Sequence, residues 1–242
     1  MVKIIITGDS WSCGEWGWEN NDPTTGNYGI LHKGIEQYFK DDNHKVTNLS
    51  RGGISNVIST KLLSKKIKKN NYDYILFFQT DPFRDPDKYS KTGQFDLTQG
   101  IKDYLTFSAD EFLEIKKELL DKTYDKLNSF GKKIYCLGAN TKLDIELIKK
   151  YPNLVPLIPA ISELLCQNYE HPKVWISGWA SQVSLIKNKD FLNLIRESFY
   201  KQKMLKSAYP ELFYPDGYHP NRYGHRIIYD YICRELHISS GK

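Results

Sequence analysis

Ser10, Asp216 and His219 are the residues of this 242-residue chain whose types and spacing suit covalent chemistry. Ser10 lies in "ITGDSWSCG", directly behind the apolar run Val2–Thr7. A bare serine hydroxyl is a weak nucleophile and needs a base within hydrogen-bond reach. The stretch "YPDGYHPNRYGH" (214–225) offers one, with Asp216 and His219 in a turn bounded by two prolines. This Asp-x-x-His spacing lets the carboxylate accept the Nδ1–H of the imidazole and leaves Nε2 to take a proton from a hydroxyl. Backbone N–H groups at Ser10 and at Gly53, in "NLSRGGISN", could then stabilise an oxyanion, since glycine permits close backbone approach.

Residues so far apart in sequence meet only if the fold carries them to one place. Short apolar runs alternate with longer amphipathic segments. Strands are expected at Val2–Thr7, Lys45–Leu49, Tyr72–Phe78 and Lys133–Leu137, and Asn153–Ile158 and Lys173–Ile176 compete for a fifth. Helices are expected over Tyr28–Lys40, with Ile30, Leu31, Ile35 and Phe39 on one side, and over Asn56–Lys69, with Val57, Leu62, Leu63 and Ile67 toward the core. Further helices are expected over Asp110–Phe130, Leu143–Tyr151, Lys187–Lys206 and Arg222–Leu236, the last capped by Asn221. The Pro-, Asp- and Gly-rich stretch 80–107 reads as a long loop inserted into a single domain spanning 1–242. This alternation predicts an α/β protein, a parallel sheet with helices on both faces and right-handed crossovers. Ligand sites in such sheets lie outside the carboxyl ends of the strands. Ser10, Gly52-Gly53, Gln79-Thr80-Asp81 and Gly138-Ala139-Asn140 each follow an expected strand.

Composition narrows the functional class. Forty percent hydrophobic and 14% aromatic residues suffice for a filled core. The net charge of +5 comes from scattered lysines, and the run Lys65-Lys66-Ile67-Lys68-Lys69 reads as a solvated helix face without nucleic-acid motifs beside it. Four separated cysteines with no Cys-x-x-Cys pair argue against a structural zinc site or a disulfide framework. No run approaches the roughly 18 apolar residues that span a bilayer, and none resembles a signal peptide. The expected location is cytoplasmic, with residence in a virion or export by a route not visible in the sequence as alternatives. No phosphate-cradling glycine loop follows the first strand, which disfavours a nucleotide-binding flavodoxin-like protein.

"GDSWS" near the N-terminus, the glycine of "NLSRGGISN" and "DGYHPNRYGH" near the C-terminus together resemble the SGNH, or GDSL-type, hydrolase superfamily. The resemblance spans the chain in block order. It implies a three-layer α/β/α, flavodoxin-like parallel sheet of about five strands. It also implies a serine esterase with Ser10 as nucleophile, Asp216 and His219 as its acid–base pair, Gly53 in the oxyanion hole, and no metal or other cofactor. The family usually places Gly-x-Asn-Asp after the third strand, with the Asn side chain donating to the oxyanion. Here Gln79-Thr80-Asp81-Pro82 stands in that position. An ionised Asp81 accepts hydrogen bonds and cannot donate one. Gln79, Thr80 or Asn140 are the available substitutes, and Arg84 has the options of pairing with Asp81 or contacting an acidic substrate.

The expected substrate is a small acyl ester, such as an acetyl group, on a carbohydrate or other polar molecule. Trp11, Trp16 and Trp18 follow the nucleophile and have two readings, a ring-stacking rim and core packing; Trp175 and Trp179 flank Gly178 in the same two senses. His225 falls inside the last helix and reads as structural, and Asp9 as a shaper of the nucleophile turn. Cys13 reads as a small buried residue. The alternative is a catalytically impaired module of the same fold that binds a glycan or a protein, a reading favoured by Asp81.

Overall fold

The computed structural model describes residues 1–84, 108–173, 175, 186–214, 216 and 219–239. The first apolar run forms β1 (Lys3–Thr7), in which Ile4, Ile5 and Ile6 are all fully buried. Continuous burial arises because both faces of the strand are covered. Ile4 and Ile6 point into one core, with Leu76 and Phe78, whereas Ile5 points into the other, with Ile75 and Phe77. The remaining parallel strands are β4 (Lys45–Asn48), β5 (Tyr74–Gln79), β6 (Ile134–Gly138) and β7 (Leu154–Ile158). They order β4–β1–β5–β6–β7. Pro156 sits in β7, at the edge of the sheet, where a missing N–H is tolerated.

Helices cover both faces and make three layers. Ile35 and Phe39 of α2 (Ile35–Asp41) and Ile228 and Ile232 of the last helix (Arg222–Glu235) fill the first core. Leu63 of α3 (Asn56–Ile67) and Leu120, Tyr124 and Leu127 of the helix Ala109–Asn128 fill the second. Side-chain caps set several helix starts. Ser108 and Glu111 form a reciprocal capping box, and Asn221 accepts from the N–H groups of Tyr223 and Gly224. No helix among the described residues is long and apolar enough to cross a membrane.

Taken in chain order, the five parallel strands are arranged 2-1-3-4-5, so the winding direction reverses between β1 and β5. The crevice at such a switch point, outside the carboxyl ends of the strands, is where sheets of this kind hold ligands. β1 runs into Gly8 there, and a Cβ on Gly8 would lie 2.5 Å from Phe78 Cβ and 2.9 Å from the Phe78 carbonyl oxygen. Only glycine lets the chain leave β1 so close to β5.

The principal departure from the sequence expectation is Tyr28–Lys40. Its first part is a strand, β3 (Tyr28–His32), paired antiparallel with β2 (Glu15–Trp18), and only Ile35–Asp41 is helical. Tyr28, Ile30 and His32 alternate with period two, and Gly34, at φ +54°, breaks the chain before the helix. Ile30 is 46% exposed and lies outside the core expected for it. Leu143–Tyr151 is helical only over Ile145–Ile148, and Leu63 is buried in α3 while Val57, Leu62 and Ile67 are half-buried. The fifth strand is Leu154–Ile158. Of the expected loop, Pro82–Arg84 forms a 3-10 turn and 85–107 lies outside the described residues. So do parts of the competing run, at 174 and 176, and Gly178 and Trp179.

Candidate active site

Asp9 ends the β1 turn and starts a four-residue helix, α1 (Ser10–Cys13), by accepting the Trp11 N–H at 3.0 Å. Ser10 is therefore the first residue of a capped helix just past the carboxyl end of β1. Its Oγ lies 2.8 Å from Nε2 of His219. The Nδ1 of that ring lies 2.6 Å from Oδ2 of Asp216, and the His219 backbone N–H donates to Oδ1 of the same carboxylate at 2.9 Å. Two contacts from one residue fix the carboxylate against the imidazole, which holds the proton on Nδ1 and turns Nε2 toward the serine. The Asp216 and His219 side chains retain only 10% and 11% of their exposure, enough for a small reactant to reach the serine and too little for bulk water to surround the pair.

Among solved structures the chain is similar to the psychrotrophic esterase EstA from Pseudoalteromonas sp., at 11% identity, with 98% of this chain and 97% of that one covered and a TM-score of 0.43. It is similar to a lipase/acylhydrolase from Enterococcus faecalis at 14% identity, covering 98% and 95%, with a TM-score of 0.43. A catalytic mutant of the acetylxylan esterase Axe2 from Geobacillus stearothermophilus matches at 14% identity, covering 100% and 96%, with a TM-score of 0.44. No protein-family model matches the sequence, and no curated protein does.

The residues after β5 and β6 gather around Asp9, not around Ser10 Oγ. Asp9 is fully buried. Its Oδ2 accepts the Thr80 hydroxyl at 2.6 Å, Nη1 of Arg84 at 3.0 Å and Nδ2 of Asn140 at 3.2 Å. Arg84 thus pairs with Asp9 where the sequence offered Asp81 as partner. Asp81 is buried with Oδ1 accepting the Phe83 N–H, and burial raises its carboxyl to about 6 against the opposing pull of Arg84. Gln79 faces away from the site as a donor. Both hydrogens of its amide go to Thr141 Oγ1 at 3.0 Å and the Lys142 carbonyl at 3.3 Å, and its oxygen accepts the Tyr124 hydroxyl. That leaves Gln79 with no N–H for an oxyanion and corrects the expectation that it serves as one.

Gly53 lies exposed after β4 at φ +72°, with open space where a Cβ would stand. Among the described residues neither its N–H nor that of Ser10 has a hydrogen-bond acceptor. Trp11 is fully buried, edge-on to Trp175 at 5.6 Å and to His219 at 6.4 Å, so it supports the imidazole from below and offers no face to a ligand. Burial pushes the Cys13 thiol up to about 12, which leaves it unreactive beside the serine. His225 is fully buried with its ring against Gly34, and burial lowers it to about 4.

Two contacts come from the β2–β3 hairpin, whose second strand the sequence expectation placed in a helix. The indole Nε1–H of Trp16 donates to the Ser10 carbonyl at 2.8 Å. The Tyr28 hydroxyl donates to Asp216 Oδ2 at 2.8 Å. The period-two pattern of Trp16 and Trp18 facing Tyr28, Ile30 and His32 was the available signal of a hairpin.

Proposed function

We propose that this protein is an SGNH-type serine esterase that removes a small acyl group from a carbohydrate or other polar ester. The observation that carries the reading is the continuous hydrogen-bonded series Ser10 Oγ, His219 and Asp216 at 2.8 and 2.6 Å. In the proposed reaction, His219 takes the Ser10 proton as Oγ attacks the ester carbonyl, and the imidazolium is stabilised by Asp216. His219 then protonates the leaving alcohol, and the same ring activates a water that releases the acid from the acyl-enzyme. The Ser10 and Gly53 N–H groups stabilise the oxyanion, each donor contributing on the order of a hundredfold or more in rate. Trp18 and Tyr28, 37% and 43% exposed and tilted against each other, with Tyr28 beside Asp216, offer ring surface that suits a sugar.

A second reading, a non-catalytic module binding a glycan or protein, is favoured by one feature. The Gln79 and Thr80 side-chain donors at the end of β5 are committed to the core and to Asp9, and Asn140 gives an amide hydrogen to Asp9. Hydrolysis of p-nitrophenyl acetate separates the two. The esterase reading expects turnover that Ser10→Ala reduces by about a thousandfold or more. Turnover unaffected by Ser10→Ala, or absent from the folded wild type, removes it.

A further inference from the structure

We propose that Tyr28 is a positioning residue for Asp216, and that the β2–β3 hairpin carrying it clamps the serine and acid blocks of the site into one geometry; this rests on the esterase reading above. Asp216 and His219 stand more than two hundred residues from Ser10 in sequence, in a loop before the last helix. Contacts from His219 alone tie the carboxylate to its own loop and not to the rest of the fold. The Tyr28 hydroxyl supplies a donor from a different part of the chain, on the same Oδ2 that accepts the imidazole N–H. A hydrogen bond to an ionised acceptor is stronger than one between neutral groups, so this contact both orients the carboxylate and spreads its charge.

The rest of the hairpin makes the contact rigid. Tyr28 pairs with Trp18 across the strands and tilts against it at 5.0 Å. It stacks on Trp16 at 5.9 Å, and the Trp16 ring lies 5.9 Å from the His219 ring. Through its N–H, Trp16 also holds the Ser10 carbonyl. One aromatic unit therefore touches the nucleophile's backbone, the base's ring and the acid's carboxylate. The polar and titratable groups facing His219 include Asp216 on its own loop, Ser10 on α1 and Tyr28 on β3 through Asp216. His225 faces it from the last helix, where burial keeps that ring neutral.

Tyr28→Phe removes the hydroxyl and keeps the stack. The expected result is a kcat about tenfold lower with KM within about twofold of wild type. Freed of that donor, the carboxylate swings from Nδ1, so the Asp216–His219 hydrogen bond weakens. The low-field proton NMR resonance of the His219 Nδ1–H is expected to move upfield or broaden in Tyr28→Phe. An unchanged resonance overturns the proposal whatever kcat does, since a hydroxyl that served packing alone would not alter that bond. Were the wild type inactive, the esterase reading would fall, and the resonance would still decide the role of Tyr28.

Discussion

Arg84 is the sharpest place to perturb the support of Ser10. Its Nη1 lies 3.0 Å from Asp9 Oδ2, and the two side chains are 16% and 0% exposed. Arg84→Met removes the cation and leaves a buried carboxylate. Removing one partner of a buried pair costs about 3–5 kcal/mol. Three neutral donors remain on Asp9, from Trp11, Thr80 and Asn140, so the low end applies, about 3 kcal/mol. For a chain of this size that is a fall in Tm of roughly 6–12 °C. Asp9 also caps the helix that begins at Ser10, so the esterase activity proposed above should fall along with stability. The assay is urea and thermal unfolding of wild type, Arg84→Met, Asp9→Asn and the double variant. The double variant should be markedly less destabilised than the sum of the two singles, because removing both partners leaves no bare charge. Additive losses, or a Tm change in Arg84→Met below about 2 °C, would refute the argument that this pair holds the turn.

Two further outcomes follow from the same geometry. Asp216→Asn should lower kcat on p-nitrophenyl acetate by about four orders of magnitude with the fold intact, because an amide N–H opposite Nδ1 favours the wrong tautomer; a loss under tenfold would mean that Asp216 does not orient the ring. Burial lowers His225 to about 4 and His171 to about 3, so between their ordinary 6.5 and those values the unfolded chain binds protons that the folded chain refuses. Stability contributed by keeping these rings neutral is thus complete above about pH 6.5 and is lost as pH falls, by up to about 3 kcal/mol for His225. Asp81, raised to about 6, works in the opposite direction between pH 6 and 3.8, so the comparison is between wild type and His225→Gln. Denaturant midpoints followed from pH 7 to 4.5 should fall less steeply in His225→Gln, and parallel curves would contradict the burial of a neutral ring.

The parts of the site that could be read in the sequence are those written locally. Val2–Thr7 reads as a strand because both faces of β1 are buried, which leaves an unbroken apolar run. Asp216 and His219 could be named together because their contact is made across a three-residue spacing within one turn. The hairpin was hidden because Ile30 and Leu31 fall in phase with Ile35 and Phe39 at helical spacing, and the competing signal, pairing with Trp16 and Trp18, lies across an intervening segment. The Asp9 cluster was hidden more deeply. Its donors Thr80, Arg84 and Asn140 lie 71, 75 and 131 residues away, and only the adjacency of β1, β5 and the end of β6 brings them in. Gln79 occupies the position where a donor was sought, yet its amide finds Thr141, Lys142 and Tyr124 on the neighbouring elements and is spent there.

The proposed esterase chemistry requires Ser10 to act as a nucleophile activated by His219. Incubation with a fluorophosphonate, followed by intact mass and peptide mapping, tests this without knowledge of the natural substrate. The expected result is one phosphonyl group per chain, located on Ser10, and its loss in His219→Gln. A folded protein that takes up no label, or carries it on another residue, would rule that chemistry out.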